Sequence, residues 1–306
     1  MVNVRGWDDE ERAALVALLK AQPERLNWGD LTAMVAECGS ARKVWSRYYP
    51  DTLFGESEAT AILREAQADV AAWTTDDFRF LTFMDDDYPE RLRDVRQMPP
   101  VVFTQGCLVR ADRAVSVVGS RKASPEALSF ARQTATLLVK QGLTVVAGLA
   151  EGIDTAAHEA TLKARGRTVA VIGTGIRKRY PAANKGLHAA IVERGGLVLS
   201  QFWPDSPPTK WSFPVRNAVM SAYGLATVVV TAGEHSGTRI QAREAIAHGR
   251  PVILSAAVTR ETQWGAALVN QPGVRVASTP EDVMRHLDTI LNVNSRVAEL
   301  LASAFA

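Results

Sequence analysis

Apolar residues recur along the chain with two different spacings, and the change of spacing divides the chain in two. Up to about residue 75 they recur every three or four positions in three segments, Asp8 to Ala21, Gly29 to Cys38 and Glu56 to Trp73, which prolines and glycines separate. This spacing predicts amphipathic helices with breaks between them. Residues 1–75 are therefore expected to form a small, all-helical domain.

From Ala114 onward, short apolar runs alternate with helical segments. Strands are expected at Val115–Val118, Leu143–Ala147, Thr168–Ile172, Leu197–Ser200, Ala226–Thr231, Pro251–Leu254 and Val274–Ala277. This alternation requires right-handed crossovers and predicts an α/β fold with a doubly wound, mainly parallel sheet. We expect a connector with a first strand over residues 76–110, the sheet domain over 111–290, and a tail with a short helix over 291–306.

Glycine-bearing turns follow three of the apolar runs, at Gly119-Ser120-Arg121, Gly148-Leu149 and Gly173-Thr174-Gly175. In a parallel sheet such turns meet at the carboxyl ends of the strands, where glycine lets the backbone approach a phosphate and helix N-termini offer unpaired N–H groups. Arg121 can add a charge-assisted hydrogen bond, or it can be a surface charge. The turns predict a phosphate-binding site.

The third turn begins like a dinucleotide-binding fingerprint, but Arg177-Lys178-Arg179-Tyr180-Pro181 follows it closely. A proline and three cations at this place argue against a nicotinamide-binding helix, and no cofactor is expected.

A basic run surrounds this third turn. Seven cations without an intervening carboxylate lie at Lys163, Arg165, Arg167, Arg177, Lys178, Arg179 and Lys185. Tyr180 adjoins the run, and Trp211 and Phe213 follow later. Cations for phosphates and aromatic rings for unpaired bases are what single-stranded nucleic acid requires, and a solvated surface is the alternative. Arg216 and Asn217 can extend this track or join two loops.

Two further groups have both a structural and a functional interpretation. Asp154 and His158, four residues apart at a helix start, can form a catalytic dyad, but a carboxylate at the first turn and a packed histidine are favoured. Ser236-Gly237-Thr238 can bind a phosphate or cap the helix that follows. The acidic triplet Asp85 to Asp87 is expected to be solvated, so no metal site is predicted.

Composition narrows the class of protein. The 306 residues carry a formal net charge of +2, so a nucleic-acid partner must be argued from local charge. No apolar run approaches the roughly 20 residues of a membrane-spanning helix, and a cytoplasmic protein is expected. The two cysteines, Cys38 and Cys107, are expected to be buried thiols.

Ordered motifs between about Phe80 and His286 resemble the DprA/Smf family of DNA-processing proteins. They are Asp87-Tyr88-Pro89-Glu90-Arg91-Leu92, Pro99-Pro100-Val101, Val118-Gly119-Ser120-Arg121, Gly148 to Asp154 with His158, Tyr180-Pro181 with Asn184, Phe213-Pro214 with Arg216-Asn217, and Ser236-Gly237-Thr238. The chain differs from the usual family pattern at Gln201, Ala218 and Ala256-Ala257. These differences lie in the later strand-to-helix loops.

The resemblance implies an extended Rossmann-like domain that binds single-stranded DNA, dimerises and helps to load a RecA-type recombinase during DNA uptake (transformation), processing or recombination. It implies that Gly119-Ser120-Arg121 forms the phosphate pocket, with Arg121 as its principal cation and Lys185, near Tyr180, as a second. It also implies a sterile-alpha-motif-like helical domain. Neither a catalytic residue nor a membrane partner is expected.

Two questions remain open at this level. A nucleotide-binding sensor or phosphoribohydrolase-like enzyme of the wider superfamily, with a role in defence against phage or plasmid DNA, is the alternative function, and Glu234 and Glu244 are its candidate acids. The uncharged stretch from Trp264 to Val269 can meet a second copy of the chain or be covered within one chain.

Overall fold

The structure, a computed structural model, describes residues 7–50 and 58–304, with side chains described as far as residue 292. The helical segments of the first part are α1 (Asp9–Ala21), α2 (Trp28–Cys38), α3 (Ala41–Tyr48) and α4 (Glu58–Thr74). Side-chain oxygens of Asp8, Asn27 and Ser40 accept backbone N–H groups at the starts of α1, α2 and α3. Three of these helices were predicted. The predicted start of α4 at Glu56 lies outside the described residues, and the eight-residue α3 was missed.

One mixed sheet of nine strands forms the rest of the fold, in the order β1-β2-β6-β5-β4-β3-β7-β8-β9. The strands are β1 (Arg79–Thr82), β2 (Val101–Gly106), β3 (Ala114–Gly119), β4 (Thr144–Ala147), β5 (Thr168–Val171), β6 (Leu197–Ser200), β7 (Ala226–Thr231), β8 (Val252–Ser255) and β9 (Val274–Ala277). From β3 to β9 all pairings are parallel, whereas β2 pairs antiparallel with both β1 and β6. The doubly wound, mainly parallel sheet is confirmed.

Helices cover both faces of this sheet. They are α5 (Pro125–Lys140), α6 (Ile153–Lys163), α7 (Lys185–Glu193), α8 (Ser212–Tyr223), α9 (Gly237–Ala247), α10 (Ala256–Glu261), α11 (Gln263–Leu268) and α12 (Pro280–Ala304). Helices α5, α6 and α12 pack together around one apolar cluster, and α8 packs on α9 around the other. The tail expected to form a separate short helix is the end of α12.

The helical part packs on the antiparallel edge of the sheet. The Trp73 ring lies 5.0 Å from the rings of Phe80 and Phe103 and 5.7 Å from that of Trp203, measured between centroids. One apolar cluster therefore continues from α1 and α4 into β1, β2 and the loop after β6.

The expected burial of the two cysteines was wrong, and of the acidic triplet only Asp86 and Asp87 are exposed as expected. Cys107 is exposed, because the chain leaves the sheet after Gly106, and Cys38 is half-buried. Asp85 is buried, since its carboxylate accepts hydrogen bonds from the Thr82 backbone N–H and hydroxyl and pairs with Arg12.

The strand order also locates the switch point of the sheet. From β3 the chain winds outward through β4, β5 and β6, and then it returns to β7 and winds the opposite way through β8 and β9. In open α/β sheets, ligands bind outside the carboxyl ends of the strands at such a point. The crevice between the ends of β3 and β7 is therefore the place where a site is expected.

Candidate nucleic-acid interface

A cleft of about 480 Å³ lies at this switch point. The turn after β3, the loop before α6, the first half of α8 and the start of α9 form its walls. Of the residues proposed for the site, it is lined by Gly119, Ser120, Arg121, Arg216, Asn217, Ser236, Gly237 and Thr238. The structure thus brings together segments that lie more than a hundred positions apart in the sequence.

The turn after β3 is shaped by close packing. A side chain at Gly119 would place its Cβ 2.7 Å from Cγ1 of Ile153 and 2.9 Å from the Thr231 carbonyl oxygen. The Ser120 hydroxyl accepts a hydrogen bond from the Lys122 N–H (3.1 Å) and donates one to the Lys122 carbonyl (2.9 Å). Ser120 therefore holds the turn that presents Arg121, and its hydroxyl is engaged within that turn.

Arg121 is exposed at the mouth of the cleft. Its guanidinium carbon lies 5.2 Å from the centroid of the Phe213 ring, a cation–π distance that orients the side chain. Among the residues whose side chains are described, no carboxylate forms an ion pair with it. Its positive charge is thus available to an anion from solution.

Arg216, in contrast, is a buried cation in the floor of the cleft. It donates hydrogen bonds to the carbonyl oxygens of Gly148 and Val171. A Cβ at Gly148 would lie 1.7 Å from Nη1 of Arg216, so only glycine leaves room for this guanidinium. Burial lowers the pKa of Arg216, and Asp154 opposes that shift. Arg216 is therefore fixed by the protein, and it orders the loop around Gly148.

Asp154 faces Arg216 from the first turn of α6. Its carboxylate accepts hydrogen bonds from the backbone N–H groups of Gly148 (3.0 Å) and Ala150 (3.3 Å). Burial raises the pKa of Asp154, and the charge of Arg216 together with these N–H donors opposes the rise. The predicted first-turn position is confirmed, and the carboxylate holds the loop that precedes its own helix.

The start of α9 closes the cleft on the β7 side. The Ser236 hydroxyl accepts the N–H of Thr238 (3.1 Å) and donates to the Thr238 hydroxyl (3.0 Å), so Ser236 caps the helix. The Asn217 amide donates to the Gly237 carbonyl (3.3 Å) and joins α8 to α9. Of the two interpretations of Asn217, joining two loops is what the contacts show. The positive end of the α9 dipole faces the cleft.

The cleft wall also contains residues that the sequence did not assign to the site, among them Phe213, His235 and Gln241. Phe213 was noted as an aromatic near the basic run, but its place under Arg121 depends on how α8 begins. Gln241 is buried one turn into α9, and its amide nitrogen has no hydrogen-bond partner among the described residues. An unpaired donor at the cleft wall suits an acceptor on a ligand.

The third glycine turn contributes less than predicted. Gly173 and Tyr180 line a smaller cavity of about 90 Å³, which shares Arg121, Phe213 and Arg216 with the cleft. The Tyr180 ring is 42% exposed and lies 6.0 Å from the Phe213 ring. These residues are brought to the site. Thr174 and Gly175 are not, because Thr174 is buried and a Cβ at Gly175 would lie 2.2 Å from the carbonyl oxygens of Trp203 and Pro204.

The part of the basic run that directly follows the third turn has partners within the chain. Arg177 forms ion pairs with Asp76 and Asp205, and Lys178 lies 3.7 Å from Asp205. Arg179 donates to the Ile176 carbonyl (2.8 Å). Lys178 and Arg179 line neither cavity, and their part in DNA binding stays a prediction.

The two predicted residues after Tyr180 also lie outside the two cavities. The Asn184 amide donates to the Leu149 carbonyl (2.9 Å) and the Thr155 hydroxyl (2.9 Å), so Asn184 fastens the loop before α6 instead of facing a ligand. Lys185 is exposed at the start of α7 but lies outside both cavities.

The candidate acids and bases also have internal partners. Nδ1 of the buried His158 lies 2.7 Å from the Thr168 hydroxyl, and burial, reinforced by Arg216, lowers the pKa of His158 to about 3. Glu234 accepts the N–H of Gln263 (2.8 Å), and Glu244 accepts the amide of Gln97 (2.9 Å). Neither glutamate lines the cleft. Asp154 is the carboxylate among the described residues that does.

Two further features are absent from the described residues. No three His, Cys, Asp or Glu side chains described in the structure converge as metal ligands do. No helix within residues 7–50 and 58–304 has both the length and the apolar character needed to cross a bilayer.

Comparison with known sequences agrees with the motifs. DNA processing protein DprA of Streptococcus pneumoniae is 34% identical over 213 residues, which cover 69% of this chain and 75% of the relative. Protein Smf of Synechocystis is 33% identical over 228 residues, which cover 72% of this chain and 54% of the relative. The chain thus spans about half the length of that Smf protein.

Solved structures show the same fold. The X-ray structure of DprA from Streptococcus pneumoniae superposes with a TM-score of 0.71 at 27% identity and covers 92% of this chain and 98% of that one. DprA from Helicobacter pylori, described for its single-stranded DNA binding mode, superposes with a TM-score of 0.62 at 22% identity over 71% of this chain and 98% of that one. A family model, DNA recombination-mediator protein A, matches residues 79–288. The chain therefore belongs to the DNA recombination-mediator protein A family, as the DprA/Smf motifs predicted.

Proposed function

We propose that the chain binds single-stranded DNA in the cleft between β3 and β7 and acts as a mediator of DNA processing and recombination in the cytoplasm. The observation that carries the proposal is Arg121, an exposed cation without a carboxylate partner among the described side chains, held over Phe213 at the cleft mouth. The family, and the single-stranded DNA binding described for the Helicobacter pylori protein, support it.

The chemistry of the cleft fits a phosphate with a base beside it. Arg121 supplies a guanidinium fork, and the start of α9 supplies oriented N–H groups and a positive dipole end. The rings of Phe213 and Tyr180, 6.0 Å apart, offer apolar faces for an unpaired base. Duplex DNA keeps its bases stacked on one another and cannot use these faces. The site therefore favours single strands.

An equilibrium titration tests this proposal directly. Wild-type protein is mixed with a single-stranded oligonucleotide, the duplex of the same sequence, and free nucleoside monophosphates. We expect the single strand to bind more tightly than the duplex, with affinity that falls steeply as salt rises. Equal affinity for single strand and duplex would remove the stacking argument.

We infer that the cleft performs no chemistry. Hydrolysis needs a positioned general base or a metal-bound water. The carboxylate of Asp154 is engaged by two backbone N–H groups and faces Arg216, while Glu234 and Glu244 bond to groups outside the cleft. The predicted result is that nucleoside monophosphates, ATP and single-stranded DNA, with or without magnesium, remain intact.

The nucleotide sensor or phosphoribohydrolase is the second candidate, and Asp154 is the observation in its favour. It is a buried carboxyl with a raised pKa on the wall of a cleft, which is how acid–base residues are often placed. Release of a base or phosphate that disappears in Asp154→Asn, while the variant keeps its fold, would favour the enzyme. Loss of turnover in Glu234→Gln or Glu244→Gln would do the same.

We further propose that the protein is a homodimer that delivers its strand to a RecA-type recombinase. Within the stretch from Trp264 to Val269, Trp264 is buried and its indole donates to the Gly233 carbonyl (3.3 Å), so this ring is covered within one chain. Ala266, Ala267 and Val269 are exposed and remain for a second copy. Light scattering that reports a monomer at every concentration would contradict the dimer.

A further inference from the structure

Trp211 is the most exposed large apolar residue for which the structure describes a side chain. Its side chain is 82% exposed, whereas the other six tryptophans are buried or half-buried. A single exposed apolar residue is ordinary on a protein surface. The position and the rigidity of Trp211 separate it from an ordinary surface residue.

Trp211 lies at the same edge of the sheet as the cleft. It immediately precedes α8, which follows β6 and leads back to the start of β7, so this helix begins at the carboxyl ends of the strands. Phe213, two residues later, lines the cleft beneath Arg121. The Phe213 ring therefore lies in the cleft wall, whereas the Trp211 ring, two positions earlier in the sequence, lies in solvent.

The backbone that presents Trp211 is fixed. The N–H of Thr209 donates to the Ser212 hydroxyl (3.1 Å), and the N–H of Ser212 donates to the Thr209 hydroxyl (3.0 Å). The Trp211 carbonyl accepts the N–H of Val215 (3.4 Å) as the first helical bond of α8. Because the backbone on both sides of Trp211 is held by hydrogen bonds, the main chain loses little conformational entropy when a base binds to this ring.

The immediate surroundings suit a nucleotide better than an apolar partner. Lys210 is exposed, and it has no ion-pair partner among the side chains that the structure describes. Val215, one helical turn on, is 47% exposed and extends the apolar face. An aromatic face with a free cation next to it supplies both contacts that single strands use, stacking for the base and charge for the phosphate.

We propose that the Trp211 indole is a stacking platform for a nucleotide outside the cleft, so that the strand continues from Arg121 past the start of α8. This inference rests on the proposed function and extends it from one nucleotide in the cleft to a track along this edge. Stacking gives no base selectivity, because every base has an apolar face, so the track accepts any sequence.

The experiment compares a ligand that reaches only the cleft with one long enough to reach Trp211. Thymidine monophosphate and an oligothymidylate of about 16 nucleotides are titrated against wild type, Trp211→Ala, Trp211→Phe and Val109→Ala. Val109, also exposed, lies before β3 and is the matched control. Trp211→Ala should weaken oligomer binding by about 5- to 150-fold and leave the mononucleotide unchanged. Trp211→Phe should retain most of the affinity, and Val109→Ala all of it.

Fluorescence supplies a second readout. The exposed indole should be quenched as the oligomer binds, and this change should be absent in Trp211→Phe. The inference fails if Trp211→Ala binds the oligomer as wild type does, or if the substitution changes the mass of the particle in solution instead, since that outcome assigns the ring to a protein interface. In both of these cases Arg121→Ala would still lose binding if the proposed function holds. Absence of oligomer binding by wild type would contradict the proposed function itself.

Discussion

The cleft turn and the basic run each place an arginine over an aromatic ring, but only the arginine of the cleft turn lacks a carboxylate partner among the described side chains. At the cleft, Arg121 is exposed over Phe213, and no described side chain pairs with it as an anion. In the run, Arg177 lies over the Phe78 ring in the same way, at 5.3 Å, but Asp76 and Asp205 neutralise it. A run of cations in a sequence therefore overstates the positive charge of the folded surface, because carboxylates from distant parts of the chain can pair with these cations.

The two regions also differ in what their cations do for the fold. Arg177 is half-exposed and pairs with Asp76 and Asp205, and it thereby joins the end of the helical part to the loop after β6. Arg216, under the cleft, is buried and holds the carbonyl groups of Gly148 and Val171. The cleft thus has one cation that stabilises its own structure, Arg216, and another that is free for a ligand, Arg121.

The largest effect is expected when the buried cation is removed. Arg216→Met should lower the free energy of unfolding by about 3–5 kcal/mol, because the buried carbonyl groups of Gly148 and Val171 lose their donor and the charge that offsets the burial of Asp154 is removed. Urea denaturation measures this change. Asp154→Asn in the same background should restore part of the loss, since the unpaired charge is then gone. A loss below about 1 kcal/mol would show that Arg216 is not what stabilises the cleft floor.

The second largest effect is expected from acid, which lowers the free energy of unfolding through two buried histidines. His158 is near Arg216 of the cleft, and His188 is near Arg179 of the basic run. Burial and Arg216 lower the pKa of His158 from 6.5 to about 3, and burial and Arg179 lower that of His188 to about 4. The unfolded chain takes up these protons below about pH 6.5 while the folded one stays neutral. The contribution of the two neutral histidines to the free energy of unfolding is thus complete above about pH 6.5, and it is lost as the pH falls towards 3 or 4.

The expected loss is about 1.4 kcal/mol per pH unit for each histidine. Denaturation midpoints measured from neutral pH down to about pH 4.5 should show this slope. His158→Gln and His188→Gln should each remove one histidine's share of it. An unchanged slope in either variant would mean that the replaced histidine is protonated in the folded protein at ordinary acidity.

The third effect is on binding rather than folding. Arg121→Ala should weaken single-stranded DNA binding by about 1.5–3 kcal/mol, the contribution of a charge-assisted hydrogen bond, with no loss of stability. Arg110, an exposed arginine paired with Glu90 before β3, is the control. Arg110→Ala should bind as wild type in a fluorescence anisotropy titration. Equal losses in the two folded variants would remove Arg121 from the site.

The smallest effect is expected in the basic run. Arg177→Ala should lower the free energy of unfolding by about 1 kcal/mol or less, because half-exposed ion pairs contribute little. Its affinity for single-stranded DNA should stay within about twofold of wild type, a difference of less than 0.5 kcal/mol. A larger loss of affinity would mean that DNA displaces Asp76 and Asp205 from Arg177.

These contrasts show which parts of the molecule are readable from sequence. Each of the seven strands from β3 to β9 ends within one residue of its predicted bounds, because continuous apolar runs mark buried parallel strands. The cleft was predictable because the carboxyl ends of such strands converge. Residues 76–110 were expected to hold one strand and they hold two, β1 and β2. The strand at Val101 was the expected one, and β1 was missed, since its four residues have only two buried side chains.

The partners of the cations were not predictable in the same way. Asp76 lies 101 positions from Arg177 and Asp205 lies 28 positions away, and no local pattern links them. The hydrogen bond of Asn184 was not predictable for a similar reason, since its partner Leu149 lies 35 positions earlier. Trp211 and Phe213 are two residues apart, and only the start of α8 decides which ring lines the cleft.

The salt dependence of single-stranded DNA binding tests the central claim most directly, because it counts the phosphates that each cation neutralises. Each phosphate contact contributes roughly −0.7 to the slope of log affinity against log salt concentration. We expect Arg121→Ala to make this slope shallower by about 0.7 and Arg177→Ala to leave it at the wild-type value. A slope that changes in Arg177→Ala and stays constant in Arg121→Ala would place the DNA on the basic run and contradict the account.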